Sequence, residues 1–237
     1  MNALLLAGGF GSRLKPITNT IPKCMVPING RPLIDYWLEI LFEYPENPIN
    51  RALINTHYLP EIVTTYIQNC KWRSLISISY EERLLGTAGT ISKNRDFFEG
   101  KSFLVAHADN LSKFNLDSFI HAHAARMPKV EITAMSFITD APHSCGILEI
   151  DENNLITSYT EKPEHPSSNL ANGAVYIFEP SVIAFIDSFQ KHEVDIGRDI
   201  LPHYAGKMQA YHNSIYHRDI GTPESLRLAR RDFNSNL

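Results

Sequence analysis

Residues 3–7 form an unbroken apolar run that stops at Gly8 and Gly9. Such a run, bounded by glycine, reads as a strand buried on both faces. Leu33, Trp37, Leu38, Leu41 and Phe42 recur at helical spacing and predict a helix over 33–44. Residues 51–56 read as a second strand, 59–69 as a second helix, and the alternating Ile and Ser of 76–80 as a third strand. A helix over 87–98, an apolar strand over 102–106 and a helix over 114–126 continue the alternation. After that the pattern changes. Strands are predicted over 130–138, 146–151, 156–160 and 174–178, with Glu152-Asn153-Asn154 as a hairpin turn. Residues 180–189 and 198–204 read as helical. Thr222, Pro223 and Glu224 supply an N-cap, a first-turn proline and a first-turn acid for a last helix. No repeat, linker or low-complexity stretch breaks the chain. The order βαβα followed by strands with inserted helices predicts an α/β fold: a mixed, mostly parallel central sheet covered by helices.

Composition narrows the function. Of 237 residues, 43% are hydrophobic and 20% charged, enough for one large domain, and the expectation is a single domain over 1–237. A formal net charge of −4 gives no broad basic surface, so nucleic acid is not expected as a partner. Cys24, Cys70 and Cys145 are scattered and form no C-x-x-C pair, which argues against a disulfide framework or a zinc knuckle. His121 and His123 are two apart on a predicted helix and do not share a face. The N-terminus lacks a basic n-region, and no apolar run reaches bilayer length. A cytoplasmic protein with no membrane partner is expected; a homo-oligomer is admitted.

The chemistry begins in the first loop. Gly8, Gly9 and Gly11 let backbone N–H groups approach an anion closely, and Arg13 and Lys23 add the charge a polyphosphate needs. No Gly-Lys-Ser/Thr comes after them, so this is not a P-loop, and Leu14 stands where a dinucleotide fingerprint needs its third small residue. Asp109 lies just beyond the strand over 102–106, where ligand crevices of open α/β sheets lie, and suits Mg2+. Asp219 ends another extended segment before Gly221 and a helix start. Glu161-Lys162-Pro163 closes a third; the proline predicts an extended Lys162. Taken singly, these residues also read as a tight turn, capping or loop aspartates, and an exposed charged pair.

Together they resemble the sugar-1-phosphate nucleotidylyltransferase family, over nearly the whole chain. The family's opening Gly-Gly-x-Gly-Thr/Ser-Arg-Leu-x-Pro-Leu/Ile-Thr and Pro-Lys stand at residues 8–18 and Pro22-Lys23. Its middle motif is Leu85-Gly86-Thr87-Ala88-Gly89, its strand-end acid Asp109, its Glu-Lys-Pro Glu161 to Pro163. Its sugar segment is Asn172-Gly173 and its closing motif runs from Asp219 to Glu224. The resemblance implies a Rossmann-like three-layer sandwich, with about 1–110 as the nucleotide-binding part and about 111–237 as the sugar-phosphate part. The chain stops at Leu237, so a C-terminal β-helix domain is not expected.

The implied reaction joins a nucleoside triphosphate and a sugar 1-phosphate into a nucleotide sugar and pyrophosphate. A phosphate monoester is largely dianionic at pH 7, so the nucleophile needs no general base. The site must instead offset repulsion between two anions and align them. By resemblance, Arg13, Lys23, Asp109 and Lys162 are catalytic, and Asp109 and Asp219 bind Mg2+. Leu6, Ala7, Gly8, Gly9, Gly11, Ser12, Arg13, Lys23, Gly86, Thr87 and Gly89 contact the nucleotide. Gly146, Glu161, Lys162 and Asn172 contact the sugar phosphate. The middle motif resembles the guanylyltransferase branch, which implies GTP with mannose or heptose 1-phosphate. A uridylyl- or cytidylyltransferase acting on another phosphorylated sugar or alcohol is the alternative within the class. A non-catalytic nucleotide sensor is the alternative outside it. Ala108, Cys145, His217 and Cys24 depart from the family's usual residues; Cys145 adjoins Gly146 of the sugar pocket.

Overall fold

The computed structural model describes residues 1–43 and 48–233; Tyr44, the predicted end of the first helix, lies outside them. In chain order the strands are β1 (Asn2–Leu6), β2 (Pro27–Ile28), β3 (Arg31–Pro32), β4 (Arg51–Thr56), β5 (Ile76–Tyr80), β6 (Phe103–His107) and β7 (Asn110–Lys113). They continue as β8 (Ile132–Ile138), β9 (Gly146–Ile150), β10 (Leu155–Glu161), β11 (Leu170–Phe178), β12 (Met208–His212) and β13 (Tyr216–Asp219). The α-helices are α1 (Leu33–Phe42), α2 (Pro60–Asn69), α3 (Thr87–Lys93), α4 (Leu116–Ala124), α5 (Ser181–Asp187) and α6 (Pro223–Asp232). Among the described residues no helix is long and apolar enough to cross a membrane. Two compact units result. The first comprises Asn2–Leu84, His107–Lys113 and the chain from Tyr216; the second comprises Leu85–Ala106 and Phe114–Ile215.

In the first unit β5, β4 and β1 run parallel in that order, with Leu4 opposite Leu53 and Leu53 opposite Ser77. Every residue of β1 is buried, as its unbroken apolar sequence requires. β7 and β13 form an antiparallel ribbon that sets Asn110 opposite Asp219. Leu14, Val26, Ile28, Leu33, Leu111, Ile220, Leu226 and Ala229 make one apolar core. Among them Leu14 follows Arg13, Ile220 follows Asp219, and Leu111 lies two beyond Asp109. Burying the apolar neighbours fixes the charged ones.

In the second unit the strand order is β6-β11-β8-β12-β10-β9. β8 and β12 are parallel; β11 is antiparallel to β6 and β8, and β10 to β12 and β9. Ala171 of β11 also pairs with Ile147 of β9, which closes β11, β8, β12, β10 and β9 into a small barrel. The predicted hairpin turn forms: the Asp151 carboxylate accepts from the Asn153 and Leu155 N–H groups, at 2.9 Å each, and Asn154 takes φ 60°.

Several elements differ from the sequence pattern. The helix predicted over 87–98 ends at Lys93, where the Asn94 amide turns back onto the Thr90 carbonyl, and resumes as a 3-10 turn at Arg95–Phe98. The segment 198–204 is a wide π turn, Ile196–Ile200, then a 3-10 turn, Leu201–Tyr204, separated where Pro202 has no N–H to give. β11 begins at Leu170 rather than 174, because a bulge between Asn172 and Tyr176 absorbs the Asn-Gly-Ala sequence within the strand. β7 and β12 carry no clear alternation, and the sequence pattern does not mark them.

Candidate active site

The first loop leaves β1 at Ala7. The Ala7 N–H donates to the Asn55 Oδ1 at 2.7 Å, and the Asn55 amide donates to Glu81 at 3.1 Å. Both polar side chains are buried, so the loop starts from a fixed point. A Cβ on Gly8 would stand 3.0 Å from Asn55 Nδ2. Gly11 has φ +62°, and its carbonyl accepts from Thr18 Oγ1 at 2.7 Å and from the Leu14 N–H at 2.9 Å. Among the described residues, no acceptor takes the N–H groups of Gly9, Phe10 or Ser12. Leu14 is buried, which turns the Arg13 side chain outward, 63% exposed.

Lys23 sits beside this loop and is itself buried. Its Nζ donates to Asp109 Oδ2 at 2.7 Å and to Asp219 Oδ1 at 2.8 Å. Arg13 lies 3.6 Å from the other Asp219 oxygen. Burial opposes the charged form of both Lys23 and Asp109, yet their attraction prevails: the Lys23 ammonium is held above its usual value and the Asp109 carboxyl below its own. Burial likewise pushes His217 down to about 3; the pull of Asp109 does not offset it, and His107 adds to the push. His217 is therefore neutral near pH 7, and the local positive charge comes from Lys23 and Arg13.

In the second unit Gly86 has φ +76° and packs against the Val194 backbone. The Val194 carbonyl accepts from the Ala88 and Gly89 N–H groups at 2.9 and 3.1 Å, and the Val194 N–H donates to the Leu85 carbonyl at 2.9 Å. The Thr87 hydroxyl donates to Asp195 at 2.9 Å and accepts from the Ile196 N–H at 2.7 Å. The middle motif is thus clamped along the segment 194–196.

Glu161 ends β10, with Gly146 directly opposite it on β9, and Lys162 comes next in the chain. Glu161 accepts from the Tyr159 hydroxyl and lies 3.4 Å from the Lys162 ammonium. Lys162 is not extended: it takes φ 43°, because its N–H donates to the Cys145 carbonyl at 3.1 Å where the ladder ends and the chain must turn. Its side chain is 63% exposed. Asn172 donates to the Tyr176 hydroxyl at 2.7 Å and accepts from the Ala174 N–H at 3.1 Å.

A model of the family described as nucleotidyl transferase matches residues 2–236. The chain belongs to the nucleotidyl transferase family. It is 32% identical over 216 residues to the UTP--glucose-1-phosphate uridylyltransferase of Synechocystis sp., covering 85% of the chain and 54% of that protein. It is 30% identical over 232 residues to the mannose-1-phosphate guanylyltransferase catalytic subunit beta of Dictyostelium discoideum, covering 95% of the chain and 62% of that protein. The chain therefore spans little more than half the length of these curated relatives. Among solved structures, HddC from Yersinia pseudotuberculosis complexed with GMP-PN superposes with a TM-score of 0.79 at 26% identity, over 98% of this chain and 99% of that one.

Within this nucleotidyl transferase fold, the first unit brings Arg13, Lys23, Asp109 and Asp219 together with the loop of Leu6, Ala7, Gly8, Gly9, Gly11 and Ser12. The second brings Gly86, Thr87 and Gly89 together with Val194, and places Gly146, Glu161, Lys162 and Asn172 on or beside β9, β10 and β11. Among the described residues no group of three or more His, Cys, Asp or Glu side chains could hold a metal ion. Two carboxylates converging on one cation fit Mg2+, which keeps its remaining positions for water and phosphate. Sequence reasoning missed Asn55, Glu81, Tyr159, Tyr176 and Asp195. Asn55 and Glu81 were discernible in principle, as polar residues beside apolar strand positions; the tyrosines read as ordinary strand residues.

Proposed function

We propose that this protein is a nucleotidylyltransferase that makes a nucleotide sugar and pyrophosphate from a nucleoside triphosphate and a sugar 1-phosphate. GTP with mannose or heptose 1-phosphate is the favoured pair. The observation that carries the reading is Lys23, its ammonium held between Asp109 and Asp219 with Arg13 beside them. That group suits a polyphosphate and its metal: both carboxylates are engaged by cations, and a dianionic phosphate nucleophile needs no general base.

In the proposed reaction a phosphate oxygen of the sugar 1-phosphate attacks the α-phosphorus. The bond from the α-phosphorus to the α–β bridging oxygen breaks, and pyrophosphate leaves with that electron pair. The N–H groups of Gly9 and Ser12 would donate to the triphosphate. Arg13, exposed and forked, would hold the departing pyrophosphate. Lys23 would stabilise charge at the α-phosphate; buried and held protonated, it needs no proton to do so. Lys162 would grip the acceptor phosphate while Glu161 and Asn172 meet sugar hydroxyls. Mg2+, bound through Asp109 and Asp219, would offset the negative charge on the phosphate oxygens.

Support for guanine comes from the Leu85-Gly86-Thr87-Ala88-Gly89 motif, from the guanylyltransferase among the relatives and from the GMP-PN complex. The uridylyltransferase relative supports UTP with another sugar phosphate as the second reading. A matrix of the common nucleoside triphosphates against several sugar 1-phosphates, read by pyrophosphate release, tests both. Release with GTP and mannose or heptose 1-phosphate is expected. Release only with other pairs would move the assignment within the class, and no release with any pair would overturn it in favour of a sensor.

A further inference from the structure

The Tyr159 side chain is almost fully buried, whereas the carboxylate it meets is 30% exposed. The direction of the hydrogen bonds around it is fixed. The Asn172 oxygen accepts from the Ala174 N–H, so its Nδ2 carries the donors. That amide donates to the Tyr176 hydroxyl at 2.7 Å. Glu161 Oε2, a carboxylate oxygen, can only accept, so the Tyr159 hydroxyl turns its proton to it. Burial raises the Tyr159 phenol far above its ordinary value, so the donor persists across the working pH range.

Two glycines wall this contact. A Cβ on Gly146 would overlap the Tyr159 hydroxyl. A Cβ on Gly197 would stand 2.8 Å from Glu161 Oε2 and 3.0 Å from the Tyr159 oxygen. The hydroxyl has room only because both positions lack a side chain. One carboxylate oxygen is thereby committed to the interior, and the other, Oε1, stands 3.4 Å from the Lys162 ammonium.

We infer that Tyr159 is a positioning residue that sets acceptor selectivity. It fixes Glu161 so that Oε1 accepts a sugar hydroxyl beside the phosphate held by Lys162. The inference rests on the function proposed above. A carboxylate held to accept from a hydroxyl rejects an analogue lacking that hydroxyl, whereas a carboxylate free to swing discriminates weakly.

Tyr159→Phe deletes the donor and keeps the ring. With the active pair found in the substrate matrix, its KM for the sugar 1-phosphate should rise about tenfold, or about 1.4 kcal/mol. Its KM for the nucleoside triphosphate should stay within about twofold. Its preference for the acceptor over the corresponding deoxy sugar phosphates should fall about tenfold. In a Glu161→Gln background the same substitution should add little, because both changes remove one interaction. Gly197→Ala, which presses a methyl on Glu161 Oε2, should reproduce the acceptor defect. Additive effects in the double variant, or equal changes in both KM values, would reduce Tyr159 to a packing residue and overturn the inference. So would an unchanged acceptor KM in an otherwise active enzyme. No pyrophosphate release by the unaltered protein overturns the parent reading, and this inference with it.

Discussion

The carbonyl oxygen of Val194 occupies the space in which Gly86 would carry a Cβ. The same oxygen accepts from Ala88 and Gly89, so it cannot retreat without breaking two hydrogen bonds. Gly86 also sits at φ +76°, where a side chain is strained whatever the space. Gly86→Ala should therefore cost about 1–3 kcal/mol, read as a fall in Tm of about 2–4 °C per kcal/mol. It should also raise the KM for the nucleoside triphosphate more than that for the sugar phosphate. A variant with unchanged Tm and unchanged donor KM would show that the clamp on the middle motif is neither strained nor functional.

Lys162 gives a contrasting case, since its side chain is exposed and its ion pair with Glu161 is long, at 3.4 Å. An exposed pair of this kind contributes little to stability. Lys162→Ala should leave Tm nearly unchanged while lowering kcat/KM for the sugar 1-phosphate by about 10²-fold. Steady-state kinetics with each substrate varied in turn checks this; unchanged acceptor kinetics would remove Lys162 from the acceptor site.

The contrast between these positions shows how much a sequence carries. β1 and Asp109 are legible because an unbroken apolar run must be buried and must end somewhere, and the residues past the carboxyl end of such a strand border a ligand crevice. Thr222 and Pro223 are legible because capping is local chemistry, and the Thr222 hydroxyl does accept from the Ser225 N–H at 3.1 Å. Lys162 defies the sequence reading because the proline rule is local, while the bond that sets its backbone comes from Cys145, at the start of another strand. The same holds for Tyr159, Asn172 and Tyr176. Their hydrogen bonds depend on strand register and on a bulge, and neither leaves a mark in residue spacing. β12 escapes the pattern because Met208–His212 mixes buried, half-buried and exposed positions with no clean alternation.

His123 and Glu179 couple stability to acid. His123 is buried, shares a hydrogen bond of 2.7 Å with Thr133, and meets Glu179 at 2.9 Å; Arg126 and Ser102 also bind Glu179. Burial holds His123 below its ordinary value of 6.5 despite Glu179, with Arg126 adding to the shift. Burial opposes the charge on Glu179, but Ser102, His123 and Arg126 together hold its carboxyl below 4.5. In both cases the unfolded chain binds more protons than the folded one, so stability falls as pH falls. The loss should begin below pH 6.5 from His123 and steepen below 4.5 as Glu179 titrates. Urea unfolding at about pH 8, 6, 5 and 4 measures the two limbs. Glu179→Gln should lower stability at the highest pH and flatten the more acidic limb; a parallel, undiminished slope would assign that limb to other carboxylates.

Asp109 and Asp219 share one cation in the structure, the ammonium of Lys23, and when either is removed the other still balances it. Asp109→Asn or Asp219→Asn keeps the side-chain shape and one of the two ion pairs, so the fold should survive with an unchanged circular dichroism spectrum. If the pair also binds Mg2+, the loss falls on turnover: kcat should drop by about 10²-fold or more in either variant. EDTA should abolish pyrophosphate release by the unaltered protein, and added Mg2+ should restore it. The metal dependence separates two roles for the carboxylates. Were they present solely to hold Lys23, EDTA would leave the unaltered enzyme untouched while both variants lost activity. Full turnover by either variant in EDTA would exclude both roles.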